Sequence, residues 1–204
     1  MKILFVIDKI ELKYFEFNNL VTNFWIIKEF LDRGNEVFIT TIPNLSLKAD
    51  RAFTKCYETF CDKGDIFYKD VKIEREIDDF ELVMFRPDPP VDIDYINATY
   101  IFDFVTKPRV INSPRAIRDF NEKLHSVYFK ELMSENIVTA SLKEIEDFLA
   151  INKQIVLKPL NRCFGSGVMF LYDGDPHTRT IINTMTNNET TLVMVQKFLP
   201  GVKN

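Results

Sequence analysis

Ile155-Val156-Leu157-Lys158-Pro159-Leu160-Asn161-Arg162-Cys163-Phe164-Gly165-Ser166-Gly167-Val168-Met169-Phe170-Leu171 is the stretch on which the reading of this chain turns. Two short apolar runs flank a turn that holds Gly165 and Gly167, and apolar runs bounded by turn residues are strand signals. Lys158 stands at the end of the first run. A lysine there sets a compact positive charge beside a loop whose backbone N–H groups can face an anion. Glycine lets a backbone approach a ligand closely because no Cβ intervenes. These features suit a phosphate group. The same residues also fit a plain β-hairpin with a surface lysine.

Composition bounds what surrounds this stretch. The chain has 204 residues, 46% apolar and 27% charged, with 19 Phe but only 6 Gly. That length suits one large domain or two small ones. Glycine falls below half its usual share of about 7%, so turns needing positive φ are few. A net charge of −4 leaves no basic footprint for nucleic acid. Cys56, Cys61 and Cys163 are odd in number and lack metal-type spacing, which predicts reduced thiols in a cytoplasmic protein. The apolar opening from Met1 is interrupted at Asp8 and Lys9, and no run approaches the roughly 20 residues of a membrane span.

Upstream, Lys2 to Ile7 predicts a buried strand. Leu20, Phe24, Ile27 and Leu31 recur on one helical face, closed by Gly34. Glu36 to Thr41 predicts a second strand, so the three make a βαβ unit with a parallel pair. Asn44 to Phe60 reads as loop and then helix, Phe67 to Ile73 as an extra strand, and Leu82 to Arg86 as a third buried strand. That strand runs into Arg86-Pro87-Asp88-Pro89-Pro90, a stiff loop at a strand's carboxyl end, where open α/β sheets bind ligands. Arg86 is suited to clamp a carboxylate with Asp88 orienting it; alternatively the two pin a turn.

Further on, Ile93 to Phe104 predicts a helix and Arg109 to Asn112 a strand. Pro114 opens a helix behind Ser113. A helix from Asn121 is predicted with Leu124, Val127, Tyr128 and Leu132 as its apolar face, and another over Leu142, Ile145, Phe148 and Leu149. Thr178 to Thr186 reads as a weak helix and Leu192 to Val195 as a strand. His125 and His177 are isolated, and His125 reads as a packing or surface residue. There is no Walker-type loop, no dinucleotide fingerprint and no zincin pair. Cys163 reads as a turn residue or a reactive thiol.

Four stretches, in order, carry a resemblance. They are Arg86 to Tyr100, Asn112 to Leu124 with its Arg118-Asp119-Phe120-Asn121-Glu122-Lys123-Leu124 run, Leu157 to Leu160 with the glycine loop, and Gln196 to Pro200. Together they resemble the bacterial type of glutathione synthetase, in the ATP-grasp superfamily. The resemblance implies an α/β fold: an N-terminal parallel-sheet pre-ATP-grasp domain over residues 1–120, then the first, incomplete part of an ATP-grasp α+β domain over residues 121–204. It implies ATP contacts at Lys123, Lys158, Gly165, Ser166, Gly167, Gln196, Lys197, Phe198 and Leu199, and substrate contacts at Arg86 and Asp88. No catalytic residue is assigned.

The implied reaction ligates γ-glutamylcysteine to glycine through an acyl phosphate, giving ADP and phosphate. The implied Mg²⁺ ligands lie in a further C-terminal part, so a complementing chain is a possible partner, as is a second copy in a homo-oligomer. The chain alone is expected to be inactive and to bind ATP weakly at most. Departures from the family pattern are Arg162 and Phe164 at glycine places and Val21-Thr22-Asn23 ahead of the first helix. The alternative is a non-catalytic remnant or a regulatory half of an ATP-grasp protein. Lys158 and Lys123 are expected to share one polyphosphate, Asp173 and Asp175 to sit in a solvated turn, and Val156, Val168, Phe170 and Val193 to form an exposed apolar patch.

Overall fold

The structure is a computed structural model that describes residues 1–8, 21–88, 90–162 and 165–201. The chain divides into two compact units, Met1–Asp119 and Phe120–Asn204. Among the described residues no helix is long and apolar enough to cross a membrane.

The first unit opens with β1 (Lys2–Ile7), followed by α1 (Thr22–Asp32) and β2 (Glu36–Thr41). Then come β3 (Leu45–Lys48), β4 (Arg51–Asp62), β5 (Asp65–Tyr68), β6 (Ile73–Glu76) and β7 (Leu82–Phe85). It closes with α2 (Ile93–Ile101), β8 (Arg109–Ile111) and α3 (Pro114–Asp119). The main sheet runs β3-β4-β2-β1-β7-β8, with β5 and β6 also paired to β4. β1 pairs in parallel with β2 and β7, and β7 with β8.

β1 is apolar at every turn of the pleat because it is covered on both sides, as parallel strands are. Leu4 and Val6 pack with Phe38, Phe85 and Tyr95, while Ile3, Phe5 and Ile7 pack with Ile39 and with Phe24 and Ile27 of α1. Gly34 leaves α1 at φ +75°, the left-handed conformation that favours glycine. Leu20, where the expected apolar face began, lies outside the described residues.

Residues 44–60 correct the sequence expectation: they form strands, not a loop and helix. β4 is antiparallel to β2, β3, β5 and β6. Its buried positions are Ala52, Thr54 and Cys56 on one face and Thr59 on the other, which gives little apolar alternation to read. The buried hydroxyls are satisfied inside the sheet: Thr54 Oγ1 donates to Thr40 Oγ1 at 2.8 Å, and Thr59 Oγ1 to the Val37 carbonyl at 2.8 Å. Cys56 Sγ donates to the Ile73 carbonyl at 3.6 Å, and burial pushes its thiol up to about 11.

The second unit contains β9 (Asn136–Thr139), α4 (Leu142–Asn152), β10 (Gln154–Pro159), β11 (Met169–Tyr172), α5 (Thr178–Met185) and β12 (Val193–Lys197). Its sheet order is β11-β10-β12-β9, antiparallel throughout. β9 was not expected from the sequence. The expected helix after Asn121 is instead a pair of tight 3₁₀ turns over His125–Leu132, broken at Phe129, where φ is −109° and ψ 41°. Its supposed apolar face is exposed at Leu124, Val127, Tyr128 and Leu132.

Period-two alternation sorts the second sheet into two faces. Ile155, Leu157, Leu171, Val193 and Val195 pack on Ile145 and Leu149 of α4 and Ile182 of α5. Val156 and Lys158 of β10, Phe170 of β11 and Gln196 of β12 take the opposite face. Val193, expected in an exposed patch, is therefore core, whereas Val168 and Phe170 are exposed.

Candidate functional site

On that second face lies an open cavity of about 540 Å³. Such a volume is usual for small-molecule sites. Its apolar wall is Val156, Val168, Phe170 and Phe198, and its polar lining includes Lys158, Gln196 and Lys197, with Leu199 and Ser134 at the edge. Phe198 meets Phe170 edge to face at 4.9 Å between ring centroids. This is an arrangement that holds a flat aromatic wall in place. The N–H groups of Lys197 and Phe198 donate to the carbonyls of Glu135 and Gln154. That of Leu199 takes no protein partner among the described residues.

Lys158 is half-buried and forms no ion pair among the described residues, whereas Lys197 Nζ meets Glu135 at 3.2 Å. Beyond Pro159 the glycine turn closes with the Val168 N–H donating to the Gly165 carbonyl at 3.1 Å. Gly165 and Gly167 have φ of +69° and +73°. A Cβ on Gly167 would stand 3.1 Å from Pro159 Cγ, so close approach as well as backbone conformation requires glycine there. Ser166 is exposed on this turn, and Cys163 and Phe164 lie outside the described residues. Lys123 does not line the cavity; its Nζ donates to the Arg162 carbonyl at 2.5 Å and to Glu122 at 2.8 Å.

The described residues hold no group of three or more His, Cys, Asp or Glu side chains placed to hold a metal ion. Asp173 is paired with Lys153 at 2.7 Å, and Asp175 Oδ1 accepts the His177 N–H at 2.8 Å. The oxygen donors that Mg²⁺ needs are thus not assembled by these residues.

Arg86 and Asp88 belong to the first unit, at the carboxyl end of β7. The two form no ion pair; the Arg86 guanidinium Nε donates to Oδ1 of the buried Asn23 instead. Asp88 donates its N–H to Asp8 Oδ2 at 2.7 Å. The Tyr95 hydroxyl donates to the Pro87 carbonyl at 3.0 Å and Asn112 Nδ2 to that of Phe85 at 3.1 Å. The proline-rich loop is therefore pinned by Asp8, Tyr95 and Asn112, and Pro89 lies outside the described residues. The sequence does not show these pairings, because Asn23 on α1 and Asp8 just past β1 lie 63 and 80 residues from their partners.

Burial raises the Asp8 carboxyl above its ordinary 3.8, opposed by the bond from Asp88 N–H; burial also raises Asp88, opposed by the Arg86 charge. A carboxyl raised on folding contributes stability below its ordinary value, and that contribution is lost as pH rises through the raised one. Asp8→Asn keeps an oxygen acceptor for Asp88. It is expected to raise the first unit's melting temperature at pH 7 by about 2 °C, discounted for partial solvent access, and to leave it unchanged near pH 3. Thermal unfolding at the two pH values checks this; equal shifts at both would refute it.

The prokaryotic glutathione synthetase N-terminal domain family matches residues 1–118, and the prokaryotic glutathione synthetase ATP-grasp domain family matches residues 122–204. The chain belongs to the prokaryotic glutathione synthetase family. Among its curated relatives, the glutathione synthetase of Buchnera aphidicola subsp. Schizaphis graminum is 30% identical over 186 residues, covering 89% of this chain and 58% of the relative. That of Vibrio parahaemolyticus is 31% identical over 187 residues, covering 90% and 59%. That of Synechococcus elongatus is 38% identical over 132 residues, covering 64% and 41%. The chain thus spans at most 59% of the length of these glutathione synthetases.

Solved structures show the ATP-grasp fold. D-cycloserine synthetase DcsG superposes with a TM-score of 0.62 at 15% identity, over 98% of this chain and 60% of that one. A RimK domain ATP-grasp protein from Sphaerobacter thermophilus superposes with a TM-score of 0.59 at 18% identity, over 98% and 65%.

Proposed function

We propose that this chain supplies the substrate domain and one wall of the ATP site of a ligase that joins γ-glutamylcysteine to glycine with ATP. The observation that supports this is the cavity on the lysine-bearing face of the second sheet, in a chain of the glutathione synthetase family. Its apolar wall of Val156, Val168, Phe170 and Phe198 suits an adenine ring, and the open N–H of Leu199 suits one of the ring's nitrogens. Lys158, with Lys123 and the Gly165-Ser166-Gly167 turn, would face the phosphates.

Transfer of the γ-phosphoryl group to the peptide carboxylate makes an acyl phosphate; the glycine amine then displaces phosphate. Such transfer asks the protein chiefly for positioning and charge neutralisation, which lysines and backbone N–H groups supply. Arg86, held by Asn23, would clamp a substrate carboxylate. The residues described here do not fit Mg²⁺, so its oxygen ligands would come from the remaining length seen in the relatives, in a complementing segment.

ATP titration followed through backbone amide resonances tests the reading. Weak, millimolar-range binding, a few kcal/mol for one wall of a site, should shift Val156, Lys158, Phe170 and Phe198. No shift at these residues at 10 mM ATP, or shifts confined to the first unit, would overturn it.

A further inference from the structure

The turn that carries Lys123 is joined to the stem of the glycine loop by one side chain. Asn121 Nδ2 donates to the Leu160 carbonyl at 2.9 Å, while its Oδ1 accepts from the N–H groups of Lys123 at 2.9 Å and Leu124 at 3.0 Å. The Asn121 N–H donates to His125 Nδ1 at 2.8 Å, and the His125 ring rests against Phe120 and Tyr128, with centroids 4.8 and 5.6 Å away. Two residues beyond Leu160, the Arg162 carbonyl accepts from Lys123 Nζ.

Leu157 is the last residue of β10 paired with β11, opposite Met169, so the carbonyls of Leu160 and Arg162 lie beyond that ladder. Backbone carbonyls outside a ladder need other donors. Both donors here come from a single turn thirty-nine residues away in sequence.

We propose that Asn121 is a positioning residue for the nucleotide: it braces the Lys123 turn against the loop stem that follows Lys158, and so fixes where both ammonium groups stand. The proposal rests on the ATP reading of this unit. A primary amide suits the task because it donates outward and accepts two N–H groups at once, which a carboxylate cannot do. An ammonium has three donors. Lys123 spends two on Glu122 and Arg162, and the third remains for a phosphate oxygen.

Asn121→Asp separates the two jobs, since the carboxylate still caps Lys123 and Leu124 but has no hydrogen for Leu160. The test uses the chain as it is. Trypsin cleavage after Arg162, which is exposed, is timed by mass spectrometry against cleavage after Lys143 on α4 as an internal reference. Release of a local brace should raise the Arg162 rate about ten-fold and leave the Lys143 rate unchanged. In an ATP titration followed by amide shifts, the variant should bind about ten-fold more weakly, the order expected for a mispositioned charged contact.

An unchanged Arg162 rate, or equal acceleration at Lys143, would overturn the brace. Faster cleavage with unchanged ATP affinity would overturn the positioning role. If the wild-type chain shows no ATP shifts in the cavity, the nucleotide reading fails, and the positioning role with it, whatever trypsin reports of the brace. Should Asn121→Asp not fold by circular dichroism, Asn121→Ser replaces it, keeping a capping hydroxyl too short to reach Leu160.

Discussion

Replacing Lys158 by alanine is expected to lower ATP-dependent turnover about 100-fold or more, the scale seen when one preorganised charge-stabilising donor is removed. The measurement is phosphate release with γ-glutamylcysteine, glycine and Mg²⁺, with the remaining length seen in the relatives supplied. Lys158 is the half-buried cation of the cavity that no carboxylate neutralises among the described residues. An uncompensated charge costs folding free energy and gains it back only when an anion arrives. The same substitution should therefore leave the melting temperature of the free chain unchanged or slightly higher. Turnover and ATP binding at wild-type level would remove Lys158 from the site. A large fall in melting temperature would instead make it a structural residue.

The second large effect is on stability. Leu157→Ala should destabilise the second unit by about 3 kcal/mol, as truncating a fully buried leucine does. Leu157 has no solvent exposure and lies on β10, between β11 and β12 and against α4 and α5. A domain of this size has only a few kcal/mol in hand, about 0.05–0.15 per residue. The variant should thus lose a large part of that margin and unfold at a much lower urea concentration. Val156→Ala, one residue away on the half-open cavity face, should cost about 1 kcal/mol or less. Urea unfolding followed by far-ultraviolet circular dichroism compares them. Similar losses would mean that the strand does not present its faces as described, because a one-residue slip exchanges core and cavity positions.

How much of this was legible differs from element to element, for physical reasons. β1 and β2 announce themselves because strands covered on both sides carry unbroken apolar runs, here Ile3 to Ile7 and Val37 to Ile39. β4 does not, because Thr54, Cys56 and Thr59 replace aliphatic residues at its buried positions. β9 is four residues of Asn-Ile-Val-Thr, too short for a period to show. Lys158, Gln196, Lys197, Phe198 and Leu199 could be picked out by motif and do gather round one cavity. Lys123 could be picked out too, but its engagement with the Arg162 carbonyl could not. Asn121 left the same blank: it acts on a backbone carbonyl, and every residue has one.

The placement of Cys56 has a use as a clock. Its neighbour on the same strand, Cys61, is exposed, and the odd spacing sends the two thiols to opposite faces, so they cannot join to each other. Alkylation proceeds through the thiolate. Cys61, being exposed, should react with iodoacetamide without any opening of the fold. Cys56, buried, tied to Ile73 and pushed up to about 11, can react only when β6 leaves β4. Peptide mapping of the labelled chain would then read two numbers from one reaction: the reagent's own speed at position 61, and at position 56 how often the sheet of the first unit breathes.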